Sequence, residues 1–479
     1  MSGAAPNHSA RYRARRLANW LPMGLAYAFL YMGRYNLTVA KNALGDQLSK
    51  EAFGTIFGVG SLVYGFAFLI NGPLIDRVGG RRGMLIGTAG ALAANVCMGV
   101  ALYAAANWDW AVPLTGVFVV LYAANMYFQS FGAVSIVTVK APWFHVRERG
   151  TFSTIFGVLI AAGIYFAFDW GSAIVAATRA EPGHLGTTAR AFAAVFGLGG
   201  SGVDENWMLF FVPATLLAVM WVIMFAWLRN TPGEAGFDDF DTGDESLSDD
   251  GQQLPVVAAV RKILTHPVLL WVCLIEFCSG VLRNGVMQWY PIYAKEAGFK
   301  HDMWISANWG LALLIAGVVG ANATGWVSDK LFQSRRAPMC GISYGILIAS
   351  YAALAATLGA NPLFGGIAAV SAQAAVIAVH GILSGTATAD FGGRKNTGIV
   401  VGIVDGFVYL GTGLQAFLVG ALAPTGAAQR DPSNWLIWPL ALLPFAAAGL
   451  AMALRIWHAL PRGTRVARAA EAADTVVDA

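Results

Sequence analysis

Arg34 and Arg283 each interrupt an apolar run long enough to cross a lipid bilayer. A lone Arg at the centre of such a run costs ~2.5–3.5 kcal/mol on insertion scales, so it persists where it faces a cavity or a partner. A guanidinium stays charged at any relevant pH and offers a planar fork of donors, which suits phosphate or carboxylate. One such group from each half of the chain, both near the midplane, makes an anion site between the halves. Tyr27, Tyr31, Arg34, Thr38 and Lys41 are spaced by four, three, four and three residues and so share one helix face. That polar stripe is expected to line a wet path, with tyrosine hydroxyls adding neutral hydrogen bonds to an anion. The competing reading pairs Arg34 with a buried carboxylate: Glu276, Asp169 or Asp405.

Glu276, Ser279, Gly280 and Arg283 also share a face, but Glu276 and Arg283 are separated by about 10 Å of helix axis, too far for direct pairing. Glu276 is then either a proton-coupling carboxylate or the partner of a cation in the other half. Asp405 is a weaker candidate of the same kind, and Lys41 belongs with these possible coupling groups. His380 lies inside an apolar run, where packing between helices is the expected role. At the loop edges Asp76 with Arg77, Arg81 and Arg82, and Asp329 with Lys330, Arg335 and Arg336, are candidate gates. Glu148, Arg149 and Arg394 join them in the loops after the fourth and tenth runs. Carboxylates there pair with basic residues or a helix N-terminus, and such pairs hold one face shut and break on opening. The plainer alternative is that these charges serve topology alone.

The elements that must position these groups are membrane helices. Of the 479 residues, 57% are hydrophobic and only 12% charged, about half the usual charged share, with a mean hydropathy of +0.58. Apolar runs of spanning length fall at 20–43, 53–75, 83–105, 112–140, 151–177, 207–228, 267–294, 304–327, 337–358, 361–390, 397–422 and 434–454. This predicts an all-α integral membrane protein of twelve helices in two pseudo-symmetric six-helix bundles. The expected organisation is a bundle over 1–228, a linker over 229–265, and a second bundle with its tail over 266–479. The linker carries an acidic Asp/Glu/Ser cluster from Glu234 to Asp250 and reads as flexible.

Most of the 31 Lys and Arg residues lie in the two tails and in the loops after even-numbered runs; the opposite loops hold only Lys50, Arg179, Arg190, Lys295, Lys300 and Arg430. The positive-inside bias therefore places both termini in the cytoplasm of a multi-pass plasma membrane protein, in bacteria the inner membrane. Arg11, Arg13, Arg15 and Arg16 precede a retained first helix, because no small-residue cleavage site follows. Cys97, Cys273, Cys278 and Cys340 sit in apolar surroundings and are expected as small buried residues, not a disulfide framework.

The halves repeat. Gly72-Pro-Leu-Ile-Asp76-Arg77-Val-Gly-Gly-Arg81-Arg82 after the second run is echoed by Gly325-Trp-Val-Ser-Asp329-Lys330 and Arg335-Arg336 after the eighth. Arg147-Glu148-Arg149-Gly150 is echoed by Gly393-Arg394-Lys395-Asn396, and Arg34 precedes Asp76 by nearly the interval that separates Arg283 from Asp329. Parallel repeats related along the membrane normal produce this register. Enzyme signatures are missing: there is no Gly-Lys dipeptide, hence no Walker-type phosphate loop, and no His-Glu-x-x-His motif. Neither enzymatic activity nor a cofactor is expected.

At these residues the chain resembles the major facilitator superfamily, and within it the organophosphate:phosphate antiporter family. The resemblance runs through Tyr27-x3-Tyr31-x2-Arg34-x-Asn36, Tyr64-Gly65-Phe66, Phe128-Gln129-x-Phe-Gly132 and Trp143 with Glu148-Arg149-Gly150. It continues in Leu282-Arg283-x-Gly285, Trp289-x-Pro291-x-Tyr293-x-Lys295-Glu296 and Gly325-Trp326-x-Ser328-Asp329-Lys330. The helix 7 stretch is its most specific part. The resemblance implies that Arg34 and Arg283 bind phosphate, that Tyr27 and Tyr31 are pocket tyrosines with Gln129 in the same set, and that two halves rock about a central site. In the glycerol-3-phosphate branch a Lys follows the helix 1 Arg, where this chain has Tyr35. A pocket Lys on helix 2 is Phe68 here, a His on helix 5 is Leu159, and the Asp before the helix 7 Trp is Gln288. Charges of both signs are lost together, which points away from glycerol-3-phosphate itself.

The expectation is a monomeric secondary transporter of a small anionic, phosphorylated metabolite, exchanged for inorganic phosphate by alternating access, with the lipid bilayer and no nucleic acid as partner. The alternatives are a proton-coupled organic-anion (carboxylate) symporter and a non-transporting sugar-phosphate sensor.

Overall fold

In lipid every backbone N–H and C=O must find its partner within the chain, so long apolar runs fold as helices. The computed structural model describes residues 8–108, 113–145, 148–179, 185–199, 204–242, 256–332, 336–383 and 397–457. Among these residues, twelve long helices follow one another along the chain. In the first half they are α1 (Ala10–Leu44), α2 (Lys50–Val78), α3 (Gly80–Asn107), α4 (Leu114–Trp143), α5 and α6 (Met208–Trp227). Helix α5 runs through Arg149–Tyr165, a π turn at Phe166–Trp170, and Gly171–Arg179. In the second half they are α7 (Leu269–Met287, continued by Trp289–Glu296), α8 (Trp309–Leu331), α9 (Arg336–Thr357), α10 (Pro362–His380), α11 (Thr397–Leu422) and α12 (Ile437–Arg455).

Ten of these are long and apolar enough to cross a membrane by composition alone. Helix α1 falls short because Arg34 and the polar residues beside it lower the hydropathy of its apolar part; in α8 the described side chains, Trp309–Gly320, are apolar. The chain is thus a multi-pass membrane protein of two six-helix bundles. Helix α1 starts well before the apolar run does, since Ser9 caps it by accepting from Tyr12 N–H.

The halves meet where α2 packs along α11 and α5 along α8. These are one junction seen twice, because under the repeat α2 corresponds to α8 and α5 to α11. Small residues allow the backbones to touch, as expected where lipid supplies no hydrophobic drive between helices. A Cβ on Gly54 would sit 2.5 Å from Ala416 O of α11, and one on Gly280 of α7 would overlap Val408 O. All four cysteines are free; Cys273, Cys278 and Cys340 are buried, whereas Cys97, contrary to expectation, lies exposed on α3.

The first residues of the expected flexible linker are instead packed. Phe237 and Phe240 set their rings against Tyr12, Arg229 N–H donates to Asn19, and Val256–Thr265 forms a helix. The contacts of Phe237 and Phe240 with Tyr12 explain the difference at its start; residues 243–255 lie outside the described residues.

Because the α7–α11 crossing has no room for a side chain, Gly280→Val is expected to destabilise the protein by ~1–3 kcal/mol. Thermal unfolding of the detergent-purified protein checks this, and an unshifted transition would contradict so close a crossing.

Candidate functional site

Arg34 has no accessible surface and occupies the centre of the first half. Its position is over-determined by neutral partners. Nε donates to Gln129 Oε1 at 2.9 Å and Nη1 to the Tyr409 hydroxyl at 2.5 Å. The guanidinium lies over the rings of Tyr31 and Tyr64, 4.6 and 4.4 Å from their centroids. Behind Gln129 stands a chain of amides: Gln129 Nε2 donates to Asn125, Asn125 Nδ2 to Gly33 O, and Asn95 Nδ2 to Asn125 Oδ1. Asn36 Nδ2 extends the chain by donating to Asn95 and to Leu209 O. Six helices therefore fix one guanidinium, whose Nη2 makes no hydrogen bond to the protein. No carboxylate among the described residues pairs with Arg34, which removes the Glu276, Asp169 and Asp405 alternatives.

Arg283, on α7, is also buried, and its strongest electrostatic neighbours are Tyr35, Tyr31 and Tyr409. Tyr31, Tyr35 and Tyr409 thus lie near both arginines. A cavity of about 270 Å³ opens on the terminus side of this cluster. Arg283, His380, Asp405 and Tyr409 of the second half line it, facing Tyr27, Tyr31, Tyr64, Lys140 and the rings of Phe68, Phe152 and Phe156. Two cationic forks beside a cavity whose neutral polar groups leave donors free can hold an oxyanion.

At the end away from the termini the halves are joined. The Thr38 hydroxyl bonds Gln288, Asn42 Nδ2 donates to Pro291 O at 3.1 Å, and Lys295 Nζ donates to Asn42 O at 2.5 Å. Lys41 reaches Glu296 at 3.9 Å and Lys50 bonds Gln429. Asp169, on the π turn of α5, accepts from Gly310 N–H at 2.8 Å and Leu311 N–H at 3.0 Å, capping α8 from the other half. The polar stripe of α1 therefore divides: Tyr27 and Tyr31 line the cavity, whereas Thr38 and Lys41 are sealed into the contact between halves. Lys41 consequently lies away from the cavity.

Glu276 is fully buried, yet its partner is not a cation of the other half; it lies 3.3 Å from His380 Nδ1 on α10 and accepts from Ser279 Oγ at 2.5 Å. Glu148 pairs with Arg16 through contacts of 3.0 to 3.2 Å, which joins α1 to the start of α5 within one half. Arg81 donates to Phe225 O at 2.7 Å, and Arg77 and Arg82 are exposed. The side chains of Asp76, Arg149, Asp329 and Lys330, and Arg394 altogether, lie outside the described residues. Tyr64, Tyr409, His380 and the Asn36–Asn95–Asn125 chain escaped assignment from sequence to the site; three Asn residues in apolar helices were the available signal.

Twelve helices in two repeated bundles, with charge buried at their junction, define a polytopic membrane carrier. Residues 23–416 match the family model of the Major Facilitator Superfamily, and the chain belongs to that superfamily of transporters, which are not enzymes. It is 26% identical to the glycerol-3-phosphate transporter of Bacillus subtilis (strain 168) over 84% of each chain. It is 25% identical to the membrane sensor protein UhpC of Escherichia coli (strain K12), over 87% of this chain and 88% of that one. A probable hexose phosphate transport protein of Chlamydia trachomatis is 23% identical over 95% of this chain and 94% of that one. Among solved structures, a bacterial homolog of the human lysosomal transporter Spinster, inward-facing and occupied, superposes with a TM-score of 0.67 at 15% identity, over 95% of this chain and 98% of that one.

Two expectations follow from the charged contacts. Asp169→Ala removes two bonds to a charged acceptor, ~1.5–3 kcal/mol each, and should loosen the sealed end. Maleimide labelling of a Cys97→Ala, Val39→Cys background is expected to rise several-fold on adding Asp169→Ala; unchanged labelling would show that the seal holds without it. Partial burial pushes the Glu148 carboxyl up, but the bidentate Arg16 outweighs it and holds the carboxyl below its usual range. Its stabilising contribution is then complete above the unfolded Glu value of about 4.3 and is lost as pH falls through the lower folded value. Glu148→Gln should flatten that acidic fall in melting temperature relative to wild type, and parallel profiles would discount the pair.

Proposed function

We propose that the protein is a secondary active transporter of a small phosphorylated metabolite, exchanged for inorganic phosphate by alternating access about the cavity that Arg283 lines and behind whose Tyr31, Tyr64 and Tyr409 Arg34 lies. The observation that carries this reading is a wholly buried guanidinium, held only by neutral groups, with Nη2 unpartnered beside a second arginine in the cavity wall. A buried cation without an acid beside it is stabilised by an anionic ligand, and a ligand spanning Arg34 of one half and Arg283 of the other draws the halves together. Relatives named for glycerol-3-phosphate and hexose phosphate transport support a phosphate ester over a simple carboxylate. Tyr35, Phe68 and Gln288, which replace charged groups of the glycerol-3-phosphate branch, leave the arginines as the principal charges for the anion.

In this reading Tyr27, Tyr31 and Gln129 complete the binding set, Asp76, Asp329 and the basic loop residues gate the terminus side, and both termini face the cytoplasm of a bacterial inner membrane. A second reading, a sensor that binds the same ligand without net flux, is favoured by the likeness to UhpC. Counterflow of labelled phosphate in proteoliposomes separates the two, since a sensor binds but does not exchange.

Arg34→Lys and Arg283→Lys should each reach the membrane yet lose at least tenfold in phosphate affinity, because an ammonium cannot supply the paired bonds of the fork. Equilibrium binding of labelled phosphate measures this; wild-type affinity in either variant would defeat the proposed site.

A further inference from the structure

The first-half wall of the cavity is apolar well beyond what an anion needs. Helix α4 turns Ala133, Ile136, Val137 and Lys140 to it, and α5 turns Phe152, Phe156, Gly157 and Ile160, so each helix gives the cavity one continuous face. Of these, only Lys140 carries a polar side-chain atom, and its amine sits 5.4 Å from the centroid of the Phe152 ring. The rings form series. Phe152 and Phe156 have centroids 5.5 Å apart, Phe156 and Tyr27 5.8 Å, and Tyr27 and Tyr31 5.3 Å. In a second series Phe68 and Tyr64 are 4.8 Å apart, and Tyr64 and Tyr409 4.1 Å. Both series meet at Arg34, whose guanidinium lies over Tyr31 and Tyr64.

We infer that the organic part of the substrate is a flat ring without hydroxyls, so that the site takes an aryl-type phosphate monoester in preference to a sugar or polyol phosphate. This deepens the anion-site reading and rests on it. With the phosphoryl group at Arg283, the rest of the ligand meets the aromatic series of the first-half wall. A planar π-system gains there by offset or edge-to-face contact, beyond the area it buries. Hydroxyls around a polyol ring point in every direction. Those directed at α4 and α5 would give up water with only Lys140 to replace it, and a polar group buried without a partner weakens binding. Among the described residues, the polar lining other than Lys140 and the tyrosines lies in the second half, at Arg283, His380 and Asp405. Size narrows the class further. A cavity of about 270 Å³ lies at the lower edge of the ~300–1,000 Å³ usual for ligand pockets, which suits one ring and not a long acyl chain. Gly157 keeps room beside Phe156, because a Cβ there would meet nothing within 4 Å.

The test is displacement of labelled inorganic phosphate from the purified full-length protein by phenyl phosphate and by inositol-1-phosphate. Both are monoesters of a six-carbon ring, and at about pH 8 both are dianions. Wild type should release phosphate at a concentration of phenyl phosphate about tenfold lower than of inositol-1-phosphate, the size expected for one or two ring contacts and for hydroxyls left without partners. Phe156→Leu and Phe68→Leu keep an apolar side chain but lose the flat face. Each should narrow that ratio about threefold, every variant being referred to its own phosphate affinity. Rings that merely pack the bundle would lower binding of all three ligands together and leave the ratio where it was. Equal displacement by both esters in wild type, a preference for inositol-1-phosphate, or a ratio undiminished in both variants overturns the inference while leaving the anion site standing. A wild-type protein that holds no phosphate overturns the anion site and this inference with it.

Discussion

A positive charge held in the middle of the molecule by neutral groups is the constraint on which the rest depends. Burying Arg34 is unfavourable, and the usual remedy is an adjacent carboxylate. Here the remedy is two hydrogen bonds, to Gln129 and Tyr409, and two aromatic faces. Bonds to a charged donor contribute ~1.5–3 kcal/mol each, which is comparable to the ~2.5–3.5 kcal/mol insertion cost. They offset the burial without cancelling the charge. The Gln129–Asn125–Asn95–Asn36 chain has the same logic: it ties α1, α3, α4 and α6 together around the guanidinium, and every member is neutral.

The same charge links the two halves. Tyr409 of α11 bonds Arg34 of α1, and the tyrosines of α1 lie near Arg283 of α7. The site belongs to neither bundle alone, so any motion between bundles alters it. The contacts at the end away from the termini differ in kind from those around the cavity. They are side chain to backbone and cation to carboxylate, partly buried, and the cap that Asp169 places on α8 spans the halves. Polar contacts of modest strength suit a junction that has to form and part.

The two walls of the cavity divide the labour by chemistry. Aromatic rings and Lys140 come from the first half, while Arg283, His380, Asp405 and Tyr409 come from the second. Phe68 takes part in the cavity wall, and Gln288 bonds Thr38 across the seal.

Much of this was determined by the sequence alone. Twelve apolar runs, the doubled loop motifs and one arginine per half dictate the fold and mark Arg34 and Arg283, because a charge in a spanning run is too costly to be incidental. Helical periodicity places Tyr27 and Tyr31 on the arginine's face. Periodicity says nothing about which residue a face meets, and there the tertiary structure decided. Lys41 shares the stripe but is sealed against Glu296, Glu276 turns to His380 rather than to the other half, and Tyr409 reaches Arg34 from the opposite bundle. The physical reason is that pattern within one helix is local, whereas a hydrogen bond between helices depends on their relative depth and rotation, which only the packing of all twelve sets.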